Sequence, residues 1–157
     1  MRFIDPQHDA QAANRVFTLV GWLAERAWWP EGQQVAVQLP NDADIEVLDA
    51  DLTHIARIEL EFPKWTDGRA YSQARLLRSR SRYAGELRAT GEVLVDMLPL
   101  LQRTGFDAVQ LRSDQSLDSA QRALRFFAGH YQGDVIETQP LFGRSAAPAL
   151  LRAEGHT

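Results

Sequence analysis

Two hydrophobic periods alternate along this chain. Val16, Leu19, Val20, Leu23 and Ala27 recur three and four residues apart, which predicts an amphipathic helix over about residues 9–27. Trp28, Trp29, Pro30 and Gly32 end it. Residues 35–39 read as a short strand. Pro40-Asn41-Asp42 then closes the strand and caps a helix whose apolar face is Ile45, Leu48, Leu52 and Ile55. The strand-then-helix unit returns three times: strand 57–62 with helix 70–82, strand 86–89 with helix 92–104, and strand 108–112 with helix 117–131. In the last helix Leu117, Ala120, Leu124, Phe127 and Tyr131 are expected to face inward. Residues 132–157 carry Gly133, Pro140, Gly143, Pro148 and Gly155, and add one more strand at Val135-Ile136 or stay irregular.

Strand, helix, strand at this spacing demands parallel pairing through right-handed crossovers. The strands are also half polar. Gln38 lies between Val37 and Leu39, Glu59 and Glu61 lie among Ile58, Leu60 and Phe62, Glu86 and Arg88 flank Leu87, and Gln110 and Arg112 flank Leu111. A sheet covered by helices on both faces has strands apolar almost throughout. One apolar and one polar face instead favour an α/β fold of four consecutive βα units with a parallel sheet in order 1-2-3-4, half of a (βα)8 barrel, preceded by the N-terminal helix. The alternative is a flavodoxin-like doubly wound sheet.

Composition narrows the class. At 157 residues the chain fits one domain, 1–157, with an α/β core over 35–131. With 45% hydrophobic and 24% charged residues it has the composition of a soluble protein. No apolar run reaches the length of a membrane span, and the N-terminus MRFIDPQHDAQ lacks the apolar centre of a secretory signal, so a cytoplasmic location is expected. The absence of cysteine excludes disulfides, a catalytic thiol and cysteine-ligated iron–sulfur or haem centres. His8, His54, His130 and His156 have no metal-site spacing, so neither a metal nor a cofactor is expected. Net charge is −4, but an acidic stretch (Asp42, Asp44, Glu46, Asp49, Asp51, Glu59, Glu61) precedes a basic one (Arg69, Arg75, Arg78, Arg80, Arg82, Arg88). Without a nucleic-acid-binding motif, the basic run reads as a solvated helix face.

Polar residues cluster where strands stop and helices start, the usual ligand position of α/β proteins. Lys64, Arg69, Arg88 and Arg112 are expected at one rim, with Thr90, Gly91 and the helix start after Gly91, a setting for a phosphate, sulfate, sulfite or carboxylate. The competing reading is a polar network in which Glu59, Glu61 and Glu86 neutralise the arginines. For catalysis, Glu61 is the better general-base candidate and Asp67 the weaker one, since Asp67-Gly68 also serves a turn. No Ser-His-Asp order, Walker loop or dinucleotide fingerprint is present.

Residues 62–69 (FPKWTDGR), 71–78 (YSQARLLR), 85–89 (GELRA) and 105–108 (GFDA) stand in register with four motifs, and on them the chain resembles bacterial domain-of-unknown-function family 934 from about Val35 to Tyr131. The resemblance implies a role in assimilatory sulfite reduction, because genes of this family commonly lie beside that of the sulfite reductase haemoprotein, which becomes the implied partner. Two features depart from the pattern. Pro99 falls inside the third predicted helix, where a kink near Val95 is expected. Pro140-Leu141-Phe142 is followed by Gly143 and only Arg144, where the family tail carries several arginines. Three functions follow as expectations: an accessory protein of sulfite reduction, a small-anion enzyme acting through Glu61 and the arginine rim, and a structural homodimer.

Overall fold

A computed structural model describes residues 1–5, 15–126, 133–135 and 138–139. Its strands are β1 (Arg2–Phe3), β2 (Val16–Thr18), β3 (Val35–Leu39), β4 (Ile55–Phe62), β5 (Glu86–Gly91) and β6 (Ala108–Val109). Its helices are α1 (Leu19–Glu25), α2 (Arg69–Ser79), α3 (Leu98–Thr104) and α4 (Leu117–Phe126). The strands form one all-parallel sheet in the order β1-β6-β5-β4-β3-β2. The four expected strands thus lie side by side in chain order. A flavodoxin-like sheet needs the order to reverse beside its first strand, and from β2 to β6 it never does.

One apolar cluster holds the helices to the sheet. Val37, Leu39, Ile58, Leu60, Phe62, Leu87, Ala89 and Val109 pack with Ala74 and Leu77 of α2, Leu98 and Leu101 of α3 and Ala120 of α4. Burial of each larger aliphatic side chain contributes about 1.5–3 kcal/mol. A bulge sets the alternation of β4: Val35 pairs with Ile55 but Ala36 with Arg57. The extra residue, Ala56, lets Ile55 enter the core while Arg57 turns to the polar face.

Several elements differ from the sequence expectation, each for a local reason. The helix expected over 9–27 begins only at Leu19, since Val16–Thr18 pairs with β3 as an edge strand; residues 9–14 lie outside the described residues. Thr18 is the N-cap, its Oγ1 accepting from Gly21 N at 3.1 Å. The helix expected after Pro40 is a single 3-10 turn, Ile45–Leu48, started by Asp44, whose carboxylate accepts from Glu46 N. Pro99 kinks nothing. It stands in the first turn of α3, where its missing N–H is not needed, and residues 92–97 are a loop with a 3-10 turn at Val95–Met97. The strand expected over 108–112 pairs only at Ala108–Val109. Leu117 is 50% exposed at the start of α4 instead of inward, while Ala120 is buried. Phe127, Tyr131 and Ile136 lie outside the described residues, and Val135 is in a bend, its N–H donating to Arg103 O. Among the described residues no helix is long and apolar enough to cross a membrane.

Candidate functional site

The segment from Phe62 to Arg69 leaves the C-terminal end of β4 and enters α2. Pro63 has no N–H to extend the strand ladder. Asp67 N then donates to Lys64 O at 2.9 Å, closing a turn. The Asp67 carboxylate accepts from Arg69 N at 3.2 Å and grips the Arg69 guanidinium at 2.7–3.2 Å, so Asp67 supplies the helix-entry contact that the Gly68 cap lacks. These hydrogen bonds hold the Asp67 carboxyl well below, and the Arg69 guanidinium above, their ordinary values. Asn41, buried in the loop after β3, lowers the Asp67 carboxyl a little further. Gln73 on α2 donates to Pro40 O and Ala43 O at 2.8 and 2.9 Å, stapling that same loop to the helix. Nothing in the local sequence marks Gln73 for this; only its burial on the face with Ala70, Ala74 and Leu77 does. Tyr71 packs edge-on against Phe62 at 5.1 Å, and burial pushes its phenol up to about 12.

Two exposed side chains crown the locked loop. Trp65 is 56% exposed, and Lys64 beside it is exposed and makes no side-chain ion pair or hydrogen bond among the described residues.

The polar face of the sheet is built in layers, because residues paired across parallel strands share a face. Arg57 pairs with Glu86, Glu59 with Arg88, Arg88 with Ala108, and Glu61 with Thr90. Arg57 and Arg88 are only 3% exposed, so this face is not a solvated surface. Arg57 Nε lies 3.0 Å from Glu59 Oε1. Arg88 reaches Glu86 at 3.0 Å and Glu59 at 3.6 Å, and Arg2 closes the row on Glu86. Ala108 opposite Arg88 leaves room for the guanidinium. One layer nearer the strand ends, Thr90 is nine-tenths buried with no hydrogen-bond partner for Oγ1 among the described residues, an omission that costs roughly 1–3 kcal/mol. Glu61, half-buried in register with it, also makes no side-chain ion pair or hydrogen bond among the described residues.

Gly91 ends β5 at φ +88°, and a Cβ there would lie 2.5 Å from Phe62 O, so only glycine lets β4 and β5 part at this height. Arg112, after β6, donates to Asp114 through Nε and Nη2, both at 2.7 Å, and to Glu92 through Nη1 at 2.8 Å. It thereby ties the loop after β6 to the loop after β5. The pairing raises Arg112 further above its ordinary value; hydrogen bonds from Arg112 and then Gln115 lower the Asp114 carboxyl to about 2. A cavity of about 410 Å³ opens beside it, lined by Phe3, Ile4, Asp5, Leu111 and Arg112 among others.

The expected rim residues are therefore placed as follows. Glu61 and Thr90 stand side by side, Arg69 is held by Asp67, Arg112 by Asp114 and Glu92, and Arg88 by Glu59 and Glu86. Each arginine proposed for an anion has a carboxylate of this chain, and Lys64 has none among the described residues. Opposite, at the strands' N-terminal ends, Arg78 donates to Gly105 O, Gly85 O and Tyr83 O and pairs with Asp107. That hub lies within a run that reads in sequence as mere solvated charge.

Residues 36–142 match the family of bacterial proteins of unknown function DUF934, and the chain belongs to that family. The match takes in β3 to β6 and α2 to α4, and leaves out β1 and β2. No curated protein matches the chain.

Proposed function

We propose that this DUF934 protein is a cytoplasmic accessory factor of assimilatory sulfite reduction, one that docks the sulfite reductase haemoprotein through the C-terminal ends of its strands. The observation that carries the docking is Trp65: a large aromatic side chain, mostly in solvent, beside a lysine with no side-chain partner among the described residues, on a loop braced by the Asp67–Arg69 pair. Exposed aromatic anchors on rigid supports dominate binding energy at protein interfaces. The assignment to sulfite reduction comes from the family resemblance. We further propose that the sheet curves as an open half barrel, because one face packs the helices and the other carries the Arg–Glu rows.

The anion-enzyme reading loses support from the carboxylates that occupy Arg69, Arg88 and Arg112. The test is reconstitution. Without cysteine, the purified chain is expected to show no iron–sulfur absorption and to leave sulfite unreduced alone. It is expected to copurify with the haemoprotein or change its activity, and Trp65→Ala should weaken that association by about thirtyfold with the fold intact. No association and no change in activity with the wild-type chain would remove the proposal.

A further inference from the structure

The charged row on the polar face stops one cation short. Arg57, Glu59, Arg88, Glu86 and Arg2 alternate in sign, and each carboxylate of the row meets a guanidinium on both sides: Glu59 meets Arg57 and Arg88, Glu86 meets Arg88 and Arg2. In the next layer toward the strand ends the pattern breaks. Glu61 has a carboxylate and no cation among the described residues. Its register partner Thr90 is nine-tenths buried, and Oγ1 has no hydrogen-bond partner among the described residues. A carboxylate and a hydroxyl on adjacent strands, the strands themselves about 4.8 Å apart, thus share one side of the sheet, both with acceptor capacity left unfilled among the described residues.

We infer that this upper layer binds a guanidinium or ammonium group presented by a ligand, donating at once to the Glu61 carboxylate and to Thr90 Oγ1. A planar guanidinium has several N–H donors in a fixed fork and spans two such acceptors, as Arg88 spans Glu59 and Glu86 one layer below. An anion at this height would meet the unpaired carboxylate of Glu61. The cation can belong to a free small molecule or to a basic side chain of a docked protein; the chemistry at Glu61 and Thr90 is the same. The inference deepens the strand-end reading above. It is tested on the chain alone, so failure to dock the reductase and failure to bind a cation are separate results.

Calorimetric titration with agmatine, with N-acetyl-L-arginine methylamide and with sulfate makes the test. Saturable binding of at least one cation is expected, and none of sulfate. Glu61→Gln, nearly isosteric, should weaken the cation by at least about tenfold, and Thr90→Val by several-fold, with circular dichroism and amide spectra unchanged. Tighter binding of agmatine assigns the site to a free cation, and tighter binding of the blocked arginine to a protein side chain. Binding of neither cation, saturable binding of sulfate, or Glu61→Gln or Thr90→Val binding as tightly as the wild type overturns the inference.

Discussion

At the scale of residues, the acidic and basic stretches interlock. Arg80 pairs with Glu46 at 2.6 Å, Ser81 donates to Asp49, and Arg26 and Trp22 Nε1 both reach Asp51. Alternation along the strands made Arg88 legible as a polar-face residue. Its partners were not legible, because Glu59 lies on another strand and only the register brings it opposite. Arg88→Ala would leave Glu59 and Glu86 short of a cation in a buried layer, and is expected to lower stability by roughly 3–5 kcal/mol in chemical denaturation. A loss below about 1 kcal/mol would mean the row is open to water. The clamps also make a pH prediction. Both Asp67 and Asp114 have folded-state carboxyls below the unfolded value, so their contributions are present above about pH 4 and are lost as pH falls through the folded values. Carboxyl carbon shifts should titrate near 2 for Asp114 and no higher for Asp67; midpoints near 4 would show the clamps open in solution.

At the scale of elements, what was readable had enough length to show a period. β4, β5 and α2 display alternation or helical spacing over six residues or more and came out close to expectation. β1 and β2 have two and three residues, too few for any period, and are strands only because a neighbour offers an edge. Pro99 was misplaced for a related reason: a helix boundary drawn from apolar spacing put it in the interior, whereas the helix starts one residue before it. Pro99→Ala should therefore change stability by less than about 0.5 kcal/mol. A gain above about 2 kcal/mol would instead reveal an interior proline. Gly91→Ala belongs to the same scale and has the opposite sign. Its φ of +88° and the 2.5 Å approach to Phe62 O should cost more than about 1 kcal/mol and disturb the Glu61–Thr90 layer together with it. Thermal melts and amide shifts of Thr90 read both effects.

At the scale of the molecule, the sheet is finished by the start of the chain. β1 lies against β6: Arg2 N donates to Asp107 O at 2.7 Å and Ile4 N to Val109 O at 2.9 Å, joining positions more than a hundred residues apart. The pair covers the edge of a two-residue strand that would otherwise offer its backbone to another chain. It also brings Arg2 to Glu86, so the last cation of the polar-face row comes from outside the segment shared with the family. Contacts of such sequence separation form late, because closing a long loop costs entropy before any contact repays it. Deleting residues 1–4 removes two backbone hydrogen bonds, the Arg2–Glu86 pair and the partly buried Phe3, roughly 2–4 kcal/mol together. For a chain of this size the melting temperature should fall by roughly 5–15 °C while the helical signal persists, since β3 to β6 keep their own core. The bared β6 edge should also raise the tendency to self-associate, visible as concentration-dependent mass in light scattering. A truncated chain that melts with the wild type and stays monomeric would mean that β1 does not close the sheet in solution, and that Glu86 relies on Arg88 alone.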